Sequence, residues 1–408
     1  MKIKLIAIFS LIAVYLFSGG CDSSRDFDSD LRQIVKPYHF SIARWELRTL
    51  PRELNQLIFG EEEEVDDEAG TVMEYFSSVE RIKAIRLEIA LNSDNGTGRA
   101  SLEAELEKLE EQRITLEVMV EKIIEKQVRE VLSQEGIYNP LTGLEVRLPP
   151  LNFELEKPPN LLVISPRDRI ESMREFFLVP DMSVAEMETV EAQADELGVS
   201  SLVVGLGGIG ATYPTFVTND ASLSFTIDAV AEEWLHQYLA FKPLGFLYVL
   251  DLTGISRNYD IAAMNETLAS MVSTEIGAIV YKVYYSGYES GANQDHEAES
   301  GFDFNLEMRE IRRAVDEYLE EEQIEEAELF MEQKRQYLAS EGHYIRKLNQ
   351  AYFAFHGTYA DSPTSINPIG IELRQLRSQS ASLKDFLDAV AAMTSRQELR
   401  DSLEPEEK

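Results

Sequence analysis

Two apolar segments with helical spacing, 223–241 and 259–285, carry carboxylates and an imidazole in sequence that has to be buried, and this constrains the chain more than any other feature. The first is expected to bury Phe225, Ile227, Val230, Trp234 and Leu235, yet it also holds Glu232, Glu233 and His236 as E-E-x-x-H. Charged groups among such neighbours are costly unless they are paired or ligate a metal. Positions 232 and 236 are i and i+4, one turn apart on one helix face, so a single cation can touch both. Glu233 points slightly off that axis, where a general base can handle a proton of water held by a cation. The second segment brings Glu266, in Asn265-Glu266-x-x-Ala269, as a third ligand. A carboxylate-bridged di-iron bundle would need a second Glu-x-x-His pair besides Glu233 and His236, and the chain has none.

The pattern resembles the gluzincin metallopeptidases, whose signature is H-E-x-x-H on one helix and a glutamate ligand in N-E-x-x-[AS] on a later one. It looks most like the bacterial predicted-aminopeptidase branch of that clan, over roughly 140–400. The resemblance implies a zincin-like metallopeptidase domain with Glu233 as general base and His236 and Glu266 as metal ligands. Glu232 stands where the family has its first histidine. A carboxylate there can bind zinc through oxygen at about 2.0–2.2 Å. Two carboxylates and one imidazole would neutralise Zn²⁺ and weaken it as a Lewis acid, which leaves manganese or iron as alternatives. The resemblance further implies a C-terminal tyrosine or histidine as donor to the tetrahedral oxyanion. In Phe355-His356-Gly357-Thr358-Tyr359 the candidates are His356 and Tyr359, with simple packing of the loop as the other reading. It also implies an edge strand, placed at 211–218, along which a peptide adds a strand of its own. Glu275 matches a position that supports the site from outside the ligand set. His296 is a weak candidate as an alternative ligand, since nothing around it is apolar.

Residues 1–21 read as a lipoprotein-type signal peptide: Lys2 and Lys4 precede an apolar stretch, then Ser18-Gly19-Gly20-Cys21. Cys21 would carry lipid, and an uncleaved N-terminal span is the alternative. Either places the body outside the cytoplasm, tethered to the membrane through Ser/Asp-rich residues 22–30. Cys21 is the only cysteine, so no intramolecular disulfide forms and thiol catalysis is excluded. The formal charge of −35 repels phosphate backbones and argues against nucleic acid.

The fold class expected is α+β, predominantly helical, with a small β-sheet preceded by a helical hairpin. Residues 31–139 form the helical region. Within it 71–134 is a hairpin whose second arm carries the stripe Leu102, Leu106, Leu109, Leu116, Val120 and Ile123, either a cap on the body or a coiled coil for a protein partner. The acidic run 61–68 reads as a solvated loop. Residues 140–220 form a β-containing subdomain with strands near 144–148, 152–155 and 161–165, a helix over 184–197 after Ser183, and a strand or hairpin over 201–217. The glycines Gly205-x-Gly207-x-x-Gly210 precede β-like sequence with Pro214 rather than a helix, so they do not cradle a dinucleotide. Residues 221–400 form the zincin-like helical subdomain, in which 243–245 end the first metal helix, 286–305 is a loop, 306–354 one long helix, and 386–393 a last short helix. The function expected is a membrane-anchored extracytoplasmic metallopeptidase acting on a peptide or protein substrate. A catalytically inactive zincin-fold lipoprotein serving as a scaffold is the alternative, and a helical adaptor is a third reading.

Overall fold

The structure, a computed structural model, describes residues 25–42, 66–91, 97–140, 149–210, 212–288 and 302–403. The fold is α+β and predominantly helical, as expected. The proposed signal peptide, the strand at 144–148, the acidic residues 61–65 and His296 lie outside the described residues. Among the described residues no helix is long and apolar enough to cross a membrane.

Helix α1 (Arg25–Val35) begins inside the stretch read as a tether. It is helical because Leu31 and Val35 recur at i and i+4 and bury completely or nearly so against a β-sheet. Helices α2 (Glu68–Leu91) and α3 (Thr97–Gln134) form the expected hairpin, laced by Arg81 to Glu105 at 2.7 Å and Arg86 to Glu110 at 2.8 Å. Along the α3 stripe Leu102, Leu106 and Leu109 are half-buried, whereas Val120 and Ile123 are buried.

Among the described residues six strands make two small sheets rather than one. Strands β2 (Asn160–Pro166), β3 (Arg174–Leu178) and β4 (Val199–Gly205) run antiparallel in the order β3-β2-β4. Helix α4 (Val184–Asp195), started by a capping box between Ser183 and Glu186, packs with α1 on one face. Strands β1 (Phe153–Leu155), β5 (Gly208–Ile209) and β6 (Thr215–Val217) form the second sheet in the order β1-β6-β5. The strand expected at the edge, within 211–218, is therefore the central one, paired parallel to β1 and antiparallel to β5. The other edge strand of that sheet, opposite β1, is β5.

Helices α5 (Leu223–Leu239), α6 (Pro243–Leu252) and α7 (Tyr259–Tyr284) follow. Pro243 does not merely stop α5. It occupies the first turn of α6, where its missing N–H costs nothing. The long helix read over 306–354 is three: α8 (Phe304–Glu320), α9 (Ile324–Ser340) and α10 (Gln350–His356). The breaks fall where Glu322 and Gly342 adopt positive φ of 59° and 91°, which ends a right-handed helix. Helices α11 (Pro368–Gln379), α12 (Leu383–Ala391) and α13 (Arg396–Leu403) close the chain, the second of them at the expected last helix.

One hydrophobic core unites residues that the sequence divides among the hairpin, the β-subdomain and the metal helices: Val120 and Ile124 of α3, Phe153 of β1, Ile227 of α5 and Leu268 of α7 belong to it together. The base of the hairpin is thus part of the body that carries α5 and α7. Two carboxylates of α3 seal the outer edge of β1. Leu155 N donates to Glu121 Oε1 at 2.7 Å and Phe153 N to Glu125 Oε1 at 3.3 Å, which satisfies strand amides that would otherwise be open to another strand.

Burial pushes the Glu121 carboxyl up to about 8, against the opposing pull of the Leu155 N–H. A folded-state value above the unfolded one of 4.5 means that this group's contribution to stability is complete below about 4.5 and is lost as pH rises through about 8. Glu121→Gln keeps an oxygen for the Leu155 N–H and removes the titration. The thermal midpoint of the unmodified chain should fall more steeply across that window than that of the variant, and equal slopes would contradict this account of the edge.

Candidate metal centre

Helix α5 is set by the Ser222 cap, whose hydroxyl accepts from Phe225 N at 3.3 Å, and α7 by Asn258, which accepts from Ile261 N at 3.2 Å. The two helices pack along their length through Ile227, Val230, Ala231, Leu235, Met264, Leu268 and Val272. Phe225, expected in this core, is instead 45% exposed at the first turn. The seam brings Glu232, His236 and Glu266 together, with one ligand atom from each within 4.8 Å of the others. His236 Nε2 lies 3.7 Å from Glu266 Oε2.

The donor set fits a cation on two observations. Glu232 Oε1 is buried without a hydrogen-bond partner, an arrangement that costs several kcal/mol for a charged oxygen unless something positive meets it. Asn265 supplies the second: its Nδ2 stands 3.1 Å from His236 Nδ1, while its Oδ1 is buried and unpartnered. With the amide turned over, Oδ1 accepts from an Nδ1–H and the Nε2 lone pair faces the carboxylates. Burial, then the charges of Glu233, Glu266, Asp361 and Asp228, hold the Glu232 carboxyl well above the usual carboxylate range.

Glu233 lies beside this cluster, under the second sheet. Burial and the charge of Glu266 push it up to about 8, opposed by a hydrogen bond from the Gly210 N–H. The glycines that resemble a dinucleotide fingerprint serve this approach. A Cβ at Gly208 would stand 2.5 Å from Glu233 Oε1, and one at Gly210 2.7 Å from Oε2 and 2.8 Å from the Glu233 carbonyl oxygen. Gln237, one turn on, ties the same segment to α5 by donating to Gly210 O at 3.2 Å and Thr215 Oγ1 at 3.1 Å.

Two tyrosines complete the surroundings. Tyr248 of α6 donates its hydroxyl to Glu266 Oε1, and its ring lies 6.1 Å from that of His236. Tyr359 is close enough to Glu266, Glu232 and Glu233 that the first of these charges, then burial, raises its hydroxyl far above the ordinary tyrosine value. His356 is placed elsewhere. It is exposed at the end of α10, its ring 4.3 Å from that of Tyr352, in a separate cavity. Glu275 also points away from the cluster, forming a two-pronged ion pair with Arg377 at 2.8 Å that holds α7 to α11. Tyr248 carried no signal in the sequence beyond being a phenol in an otherwise apolar helix between the two motif halves. Asp361 was equally hidden. It reaches the cluster because Ser270, one turn past Glu266, donates to its Oδ2 at 2.8 Å.

No protein-family model, curated protein or solved structure matches the chain. The site is therefore described by its own geometry.

The two glycines should respond differently. Gly210→Ala meets backbone and is expected to cost about 1–3 kcal/mol by overpacking. Gly208→Ala meets mainly the end of the Glu233 side chain, which can swing aside, and should cost less. Denaturant titration of both variants reads the order, and a larger loss in Gly208→Ala would contradict the packing described.

Proposed function

We propose that the chain is a membrane-anchored, extracytoplasmic metallopeptidase, a gluzincin-like hydrolase whose zincin likeness rests on the E-E-x-x-H and N-E-x-x-A helices. The observation that carries this reading is the convergence of Glu232, His236 and Glu266 with Glu233 alongside. Those three residues would hold a divalent cation, zinc with manganese or iron as alternatives, which when bound lowers the pKa of water at the site and polarises a carbonyl. Glu233 takes the proton of attacking water on a carboxylate oxygen and can return it to the leaving amine. Burial and the charge of Glu266 raise its affinity for a proton. Tyr359, kept protonated by the carboxylates around it, donates its hydroxyl hydrogen to the carbonyl oxygen as charge develops there. Tyr248 holds Glu266 in orientation, and Asn265 does the same for His236. The lipid at Cys21, or an N-terminal span, would tether this body to the membrane.

A catalytically inactive scaffold of the same fold is the second reading, favoured by Glu232 standing in the place of a histidine. The two are separated by variants of the purified body supplied with zinc, manganese or iron. Glu233→Gln should keep one equivalent of metal and lose about 10²–10⁴-fold in kcat on peptide substrates. Glu266→Ala should lose the metal itself. Absence of stoichiometric metal in the unmodified protein would sink the hydrolytic reading.

A further inference from the structure

Tyr259 and Glu266 are seven residues apart on α7, so they share a face of the helix about 10 Å apart along its axis. At the Tyr259 end lies a cavity of 290 Å³ lined by Tyr259, Arg312, Tyr352, Phe353, His356 and Asn367 among others. One strap joins it to the candidate metal centre. Tyr259 Oη donates to Gly357 O at 2.9 Å, Ala360 N to Thr267 Oγ1 at 2.9 Å, and Ser270 Oγ to Asp361 Oδ2 at 2.8 Å. The strap therefore runs along α7 with His356 and Gly357 at the cavity and Tyr359 at the carboxylates.

The cavity's rings give it an apolar floor, and Arg312 gives it a charge with hydrogens to spare. Its guanidinium stands 5.6 Å from the centre of the Phe353 ring, and Asp316 takes the Nε through both oxygens at 3.0 Å. Among the described residues none accepts a hydrogen bond from Arg312 Nη1 or Nη2. Arg396, the other guanidinium of the lining, is engaged by Glu372 at 2.9 Å and faces Asp260 at 3.8 Å. Gly357 keeps the approach open, since a Cβ there would lie 3.4 Å from Arg312 Nη1 and 3.1 Å from Tyr259 Oη. An open guanidinium fork above apolar rings matches a carboxylate borne by an apolar residue.

We infer that this cavity receives the free C-terminal carboxylate of a short peptide ending in an apolar residue, held by the Nη edge of Arg312. The inference rests on the hydrolytic reading for its substrate class.

The test needs first only the full chain made inactive by Glu233→Gln and two N-acylated peptides of one sequence, one ending in a carboxylate and the other in an amide. The acid should bind at least about tenfold tighter, the usual value of a hydrogen bond to a charged group. Arg312→Gln should erase the preference and Arg312→Lys should keep only part of it, with thermal midpoints confirming that both variants are folded. Equal binding of acid and amide to the parent protein overturns the inference, as does a preference that survives Arg312→Gln. A preference for the acid in a protein that binds no metal would uphold the cavity and remove the hydrolysis. Cleavage of both peptides with equal KM would do the reverse.

Discussion

The constraint on which the structure depends is electrostatic: α5 and α7 crowd Glu232, Glu233 and Glu266 into one seam, with Asp228 and Asp361 near enough to add to the repulsion. His236, the hydroxyl hydrogens of Tyr248, Tyr359 and Ser270 and the Gly210 N–H face these carboxylates. The apolar packing of the two helices supplies the cohesion that holds like charges together, since residues such as Ile227, Leu235, Met264 and Leu268 are essentially inaccessible to water. A scaffold bearing such a strain can relieve it by protonation or by a cation. The unpartnered oxygen of Glu232 and the amide of Asn265 are disposed for the second.

The rest of the fold reads as support for that seam. The second sheet lies across α5 so that Gly208 and Gly210 cover Glu233, and Gln237 binds the covering segment to the helix. The hairpin closes the opposite side of the core, with Glu121 and Glu125 of α3 taking the amides of β1. Arg377 joins α11 to Glu275, and the strap after α10 carries Tyr359 to the carboxylates. Residues far apart in sequence thus fix a small polar centre in an apolar surround, as preorganised sites require.

Much of this was legible in the sequence, and what was not has physical causes. Helices α5 and α7 announced themselves through period and cap: Ser222 and Asn258 precede long apolar repeats, and the spacing of 232, 236 and 266 gave the cluster. Strands β1 and β2 followed from short apolar runs between prolines. Pro243 misled, because the same residue ends one helix and begins another, and with α6 went Tyr248. Glu322 gave no warning of a break, since a glutamate rarely takes positive φ. The position of β6 inside its sheet depends on the pairing of Phe153 with Thr215, 62 residues on in the chain, which local alternation does not encode. His356 and Tyr359 are three residues apart in sequence, yet the turn at Gly357 sends His356 to the cavity beside Tyr352 and Tyr359 to the carboxylates.

The most direct test is a crystal structure of the body grown with zinc or manganese and measured at the metal's absorption edge. The account predicts one anomalous peak bounded by Glu232, His236 and Glu266, about 2.0–2.2 Å from its oxygen and nitrogen ligands, with Asn265 bonded to the far nitrogen of the ring. Crystals without a peak there, with Glu266 turned to solvent or Glu232 paired to another side chain, would contradict it.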